Sequence, residues 1–245
     1  MYDRFANLYD VIELDNQGNT ILSNKMIVKH LRKSNAISVL DMTCGTGAQA
    51  TYLSKQGFKV TASDLSQGMI DVAKRKAQGL DIQFFHDNMI TINRGQFDAV
   101  ISMYNAIGHL GKHEFIETVR NAANNLHQGG IYIFDIFNAQ MMKYLPKNQF
   151  IDVASTIANK KFVRFIQFVY DESSAINTVM HSTHIQSDVD PIEHLTEEYT
   201  LQTYSPTELK KILRDNGFSS VSISSDGWPE LFGGNGMVNF VVAVK

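Results

Sequence analysis

A chain of 245 residues with 44% hydrophobic side chains is long enough for one compact domain carrying an insertion. A net charge of −3, with no basic run longer than Lys74-Arg75-Lys76, lacks the footprint of a nucleic-acid-binding surface. The one cysteine, Cys44, excludes an intrachain disulfide and a cysteine-based zinc site, and no apolar run approaches the ~20 residues of a membrane span. A soluble cytoplasmic protein, with no nucleic-acid or membrane partner, is expected.

Residues 1–20 set Tyr2, Phe5, Leu8 and Tyr9 before a polar hinge, Asp15 to Asn19, a pattern that suits a lid. Residues 21–149 form the core. They begin with a helix over Ile21–Leu31, whose apolar residues recur at helical spacing. Strands are predicted at 37–40, 59–63, 81–86, 97–103 and 130–136, alternating with helices. One of these, Gly68–Gln78, would carry Lys74-Arg75-Lys76 on its solvent face. Such alternation predicts a doubly wound α/β fold with a parallel sheet covered on both faces. Over 150–204 the pattern changes to long β-prone segments, 161–170, 175–186 and 194–204, read as an antiparallel insert after the fifth strand. This insert is expected to shape an acceptor pocket or a homodimer interface. Its His181, His184 and His194 are expected to face solvent, and their spacing makes no metal set. Residues 205–245 return to the core, with a helix capped by Ser205, Pro206 and Glu208 and closed near Asn216-Gly217. Strands 218–224 and 237–244 flank a glycine-rich loop that holds Trp228 and Phe232.

The chemistry concentrates at Val39-Leu40-Asp41-Met42-Thr43-Cys44-Gly45-Thr46-Gly47. A buried strand ends in an acid, and two glycines then mark a sharp turn into a helix from about Ala48. Nineteen residues past Gly45, a second strand ends in Asp64, placed to accept hydrogen bonds from ribose hydroxyls. This is an adenosine-binding βαβ unit. Gly45 to Ala50 also fits the G-x-G-x-x-G/A dinucleotide pattern, so an NAD-dependent oxidoreductase or a non-catalytic nucleotide-binding module remains open on these residues alone. Asp41 is placed to orient the loop and to attract a cationic amino acid end.

The same nine residues resemble motif I of the class I S-adenosylmethionine methyltransferases. Phe97-Asp98-Ala99-Val100-Ile101-Ser102 looks like that family's fourth strand, and Gly129-Gly130 like the turn into its fifth. The resemblance implies a Rossmann-like seven-stranded sheet whose last strand is antiparallel, and S-adenosylmethionine as cofactor with S-adenosylhomocysteine as product. It implies that Asp41, Gly45 and Gly47 hold the methionine moiety, that Asp64 holds the ribose, and that Leu65 packs on the adenine. Asp87 or Asn88 would meet the adenine amino group, and Met103 would present backbone to the cofactor. Thr43 stands where the family often has glycine. Tyr2, Phe5 and Tyr9 resemble the aromatic opening of small-molecule methyltransferases, with Tyr9 placed for the methionine carboxylate. The Ile107-Gly108-His109-Leu110 segment resembles N-methyltransferases of nucleotide-linked aminosugars, and Gly57-Phe58 with Val60 resembles glycine and sarcosine N-methyltransferases. Small-molecule N-methylation is therefore expected, with O- or C-methylation of another metabolite as the alternative. His109 is the expected catalytic residue, with Tyr2, Tyr104 and Asp135 on the acceptor side.

Overall fold

The central strand, β1 (Ser38–Asp41), pairs in parallel on both sides, with β2 (Lys59–Asp64) and with β4 (Phe97–Ser102). Both its faces are covered, which is why the adjacent Val39 and Leu40, pointing to opposite faces, are both apolar and fully buried. The computed structural model describes residues 6, 7, 9–12, 17–157, 159–187, 191–225 and 236–245. Tyr2, Phe5, Trp228 and Phe232 lie outside the described residues.

Adding β3 (Ile82–His86), β5 (Leu126–Phe137), β10 (Ser220–Ser224) and β11 (Val238–Val244) gives seven strands in the order β10-β11-β5-β4-β1-β2-β3. β11 runs antiparallel to both its neighbours. Alternate side chains send Val39, Val60, Ala99 and Ile133 to one face. There they pack on α1 (Gln17–Lys33), α2 (Ala48–Lys55) and Ile70 of α3 (Gln67–Lys76). Leu40, Val100, Tyr132 and Phe134 pack on the other face against α4 (Lys112–Asn124) and α5 (Pro206–Asp215). Asp98 locks the entry edge of β1 to β4: its Oδ2 accepts from the Ile37 and Ser38 amides and from Ser38 Oγ, each at 2.9 Å. The chain leaves β1 towards β2 and β3, then crosses to β4 on the opposite side. That reversal opens a crevice beyond the carboxyl ends of the strands.

Three local expectations shift. α1 begins at Gln17, inside the predicted lid and hinge. Gly129-Gly130 does not precede β5 but sits within it. The β4–β5 register slips there, Gly129 has φ +79°, and a Cβ on Gly130 would come within 3.0 Å of the Asp98 and His127 carbonyls. The insert has four antiparallel strands rather than three, β6 (Phe150–Ile157), β7 (Lys160–Asp171), β8 (Ile176–Ser187) and β9 (Glu193–Gln202), paired in that order. Its first strand escapes a reading by alternation because its pairing with β7 slips between Ile151 and Val153, around Asp152.

The inner face of this insert continues the main core through Ile166, Phe168, Val179 and Leu201. It also buries charge. Arg164 Nε and Nη2 donate to both oxygens of Asp152 at 2.7–3.1 Å, and the two side chains are only 6% and 12% exposed. A planar guanidinium suits this two-oxygen grip. Truncating one partner strands the other charge in the interior. Arg164→Ala is accordingly expected to cost about 3–5 kcal/mol of stability, measured by chemical denaturation.

Candidate active site

The loop after β1 is shaped by two left-handed glycines, Gly45 at φ +51° and Gly47 at φ +81°. Gly47 is needed twice over, because a Cβ there would also meet Ala73 Cβ at 3.0 Å. The Cys44 amide donates to the Ser63 carbonyl at 2.8 Å, and Gly47 closes back on Cys44 at 2.8 Å. Asp64 then joins the two strand ends: Oδ2 accepts from Gly45 N–H at 2.8 Å and Oδ1 from Ser66 N–H at 2.9 Å. Asp41 lies behind this loop and not on its surface. It is 1% exposed, and its Oδ1 accepts from Thr43 N–H at 3.2 Å. Burial pushes its carboxyl up to about 7; the Thr43 hydrogen bond opposes the rise and the charge of Asp64 adds to it.

A cleft of about 330 Å³ opens over the loop. Met42 to Thr46, Ala48, Gln49, Asp64, Leu65, Asn88, Met103, Tyr104 and His109 are among the residues that line it, with Tyr9 at its edge. Gly47, Asp41, Asp87 and Asp135 are not. Leu65 is 67% exposed, an apolar surface ready to lie against a flat ring. Asn88 faces the cleft, and its Oδ1 accepts from Ile90 N–H at 2.9 Å, which leaves that oxygen a second lone pair. Asp87 is turned to Arg94, whose Nε and Nη2 reach its Oδ2 at 2.8 and 2.7 Å; between the two residues considered for adenine, only Asn88 meets the cleft.

The opposite wall begins where β4 ends. Tyr104 and Asn105 both have left-handed backbones, φ +60° and +53°, which is costly for residues with a side chain. Asp135 holds this strain. It is 3% exposed on β5, its Oδ1 accepts from Asn105 N–H at 3.1 Å, and the Tyr104 amide also bonds to it. Burial raises its carboxyl to about 7 against those backbone hydrogen bonds. Asp135 therefore supports the wall from behind and does not present itself to an acceptor. Asn105 Oδ1 accepts from Phe137 N–H at 3.0 Å, and its amide lies so close to Gly108 that a Cβ there would fall 2.6 Å from Nδ2. The resulting 3-10 turn, Ala106–His109, carries the His109 ring into the cleft. His109 remains an exposed residue of the cleft wall, and the partial loss of water around its imidazole lowers the pKa below the ordinary 6.5. Tyr104 spans the cleft edge to α1, its hydroxyl 3.0 Å from Thr20 Oγ1.

Two groups that sequence reasoning missed stand at the loop end of the cleft. Thr43 Oγ1 and Gln49 Nε2 are buried with no hydrogen-bond partner among the described residues. Gln49 had a usable signal, since the first turn of a helix that follows a glycine loop faces the ligand. Unsatisfied polar atoms on a cleft wall are what an amino acid moiety would engage. With Asp64 for a ribose and Leu65 and Asn88 for an adenine, the residues present fit S-adenosylmethionine. Above the loop, Asp10 in the helical turn Tyr9–Ile12 accepts from Thr46 Oγ1 and pairs with Lys76, which also reaches Thr46 Oγ1 at 3.2 Å. Lys76 is thus engaged with the loop, not solely with solvent. Gly47→Ala is expected to cost about 1–3 kcal/mol through its φ and its Ala73 clash. The loss should register as weaker S-adenosylhomocysteine binding by calorimetry and a lower Tm.

The family model described as "Methyltransferase domain" matches residues 39–130, the stretch that builds this loop and both walls. A protein of Geobacillus sp. (strain WCH70), provisionally named a methyltransferase, is 29% identical over 234 residues, covering 92% of each chain. Among solved structures, an S-adenosylmethionine-dependent methyltransferase from Clostridium acetobutylicum ATCC 824 superposes with a TM-score of 0.78 at 20% identity, covering 99% of this chain and 98% of that one. The sugar N-methyltransferase KedS8 from Streptoalloteichus sp ATCC 53650 gives a TM-score of 0.81 at 19% identity, covering 97% and 92%. These two likenesses extend through the insert and establish the fold. The sequence match centred on the cleft, the whole-chain likeness in fold and the residues of the cleft together support S-adenosylmethionine-dependent methyl transfer by this chain.

Proposed function

We propose that this enzyme N-methylates a small amine, of the aminosugar kind. The observation that carries the reading is the position of His109: a partly desolvated imidazole on the wall facing the glycine loop, at the mouth of a cleft of small-molecule size. The whole-chain likeness to a structure named as a sugar N-methyltransferase supports it.

S-adenosylmethionine supplies a methyl group already activated on a sulfonium. The protein's part is then to align and to keep dry, and such positioning is worth about 7–11 kcal/mol. Asp64, Leu65, Asn88, Thr43 and Gln49 hold the cofactor against the loop. His109, neutral above its lowered pKa, accepts the proton of the acceptor nitrogen on its unprotonated ring nitrogen. The helical turn Tyr9–Ile12 acts as a lid, with Tyr9 lining the cleft and Asp10 latched to Thr46 and Lys76.

The test is release of S-adenosylhomocysteine from S-adenosylmethionine with a nucleotide-linked aminosugar, glycine or sarcosine, each run against a no-acceptor blank. Turnover of one amine supports the reading; turnover of hydroxyl acceptors alone sinks it. A base must be unprotonated to work, so kcat/KM should rise with pH through an apparent pKa below 6.5. His109→Gln should remove that limb and lower kcat about 10²–10⁴-fold.

A further inference from the structure

We propose that Tyr199, carried on β9 of the insert, is a positioning residue for His109, and that His181 on β8 anchors Tyr199 in turn. The inference rests on His109 acting at the acceptor, as argued above. β9 lies against the 3-10 turn that bears His109. The Tyr199 and His109 rings sit 5.2 Å apart at 41°, within the range of favourable aromatic pairs. Tyr199 also meets His181 edge to face, ring centroids 5.4 Å apart at 90°, with its hydroxyl 3.5 Å from His181 Nε2. A tyrosine hydroxyl lies on the axis of the second of its two rotatable bonds, so its contact with Nε2 fixes where the ring sits, and the edge-to-face packing of His181 sets the plane. That plane backs the imidazole of His109.

His181 does not face solvent as its place in a β-prone insert suggests. It is 7% exposed on the inner face, opposite Glu197. Burial, with the nearby Arg164 cation, pushes its imidazole down to about 3. It therefore stays neutral across the working range, and Nε2 can accept the Tyr199 hydroxyl proton. Arg164 is itself fixed by Asp152. Glu114 of α4 and Tyr104 line the same cleft as His109, whose ring meets Tyr199; Glu197 pairs with His181 across the strands, and the Arg164 cation acts on it. The Asp152–Arg164 pair, the Arg164 charge acting on His181, and the two ring contacts of Tyr199 thus link β6 to β9 and end on the imidazole of His109. It gives the insert a part in catalysis through a residue 90 positions away in the sequence.

The test needs no acceptor. Diethylpyrocarbonate modification of each histidine in the full chain is followed by mass spectrometry in the wild type, Tyr199→Phe and Tyr199→Leu. Tm and S-adenosylhomocysteine affinity serve as folding controls. Tyr199→Leu should raise the rate at His109 several-fold with unchanged S-adenosylhomocysteine affinity. Tyr199→Phe, which keeps the ring, should stay near the wild type. With whichever amine is turned over, Tyr199→Leu should lower kcat about 10–100-fold while KM for S-adenosylmethionine holds, and Tyr199→Phe should recover most of the loss. An unchanged His109 rate in Tyr199→Leu, or an equal rise at every histidine, overturns the proposal. Full turnover in His109→Gln overturns the proposed function instead, whatever the modification rates.

Discussion

A carboxylate at the end of β2 accepts a hydrogen bond from the backbone of the loop that follows β1, and the cofactor side of the site is organised by that bond. Asp64 Oδ2 takes the Gly45 amide at 2.8 Å while Oδ1 takes Ser66, the N-cap of α3. The loop can turn only because Gly45 and Gly47 accept left-handed backbones, and a backbone free to turn is also free to wander. Tying Gly45 to the neighbouring strand removes that freedom before any ligand arrives. It also places this carboxylate, proposed above to hold a ribose, at a fixed offset from the helix that follows.

The acceptor wall repeats the device one strand pair away. Asp135 on β5 holds the backbone after β4, as Asp64 on β2 holds the backbone after β1. Here the stakes are higher, because the two residues held are a tyrosine and an asparagine in a conformation that each would leave if released. Gly108 then lets Asn105 tuck beneath the turn, and the turn delivers His109. At the other end of these strands, where β1 begins, Asp98 ties β1 to β4. In each case an acid on one strand fixes the backbone beside its neighbour, so the geometry of the cleft follows from strand register.

Legibility in the sequence tracks the range of the interactions. The β1 loop and the capping box at Ser205 are local, each written in fewer than ten residues of strand, turn and helix signals; Asp64 follows at a spacing of nineteen from Gly45, and the predicted strand boundaries lie within a few residues of those observed. Side chains at the end of a strand are harder. Asp135 and Asp87 sit where a ligand acid would, but whether such a carboxylate points into the crevice or back into the protein depends on a partner, Asn105 or Arg94, that no spacing identifies. The insert is harder still. Alternation announces its strands but not which face is inward. A face bearing Arg164, His181 and Thr183 reads as solvent-facing until the sheet is seen folded over the core.

Electrostatics separates the two cofactors that the glycine loop alone admits. A dinucleotide brings its pyrophosphate to the helix N-terminus after such a loop, and that arrangement wants positive potential there. Beneath this loop stand Asp41 and Asp64. Their combined influence is visible on Cys44, whose thiol is pushed well up, first by burial and then by both carboxylates. The same field adds to the raised pKa of Asp41 itself. A sulfonium with an ammonium group relieves that field and draws Asp41 back towards its charged form, whereas a pyrophosphate deepens it. The nearby Lys76 does little to reverse the sign, being paired with Asp10. A loop whose backbone geometry is shared by both cofactor classes is thus biased towards a cationic ligand by two acids set under it.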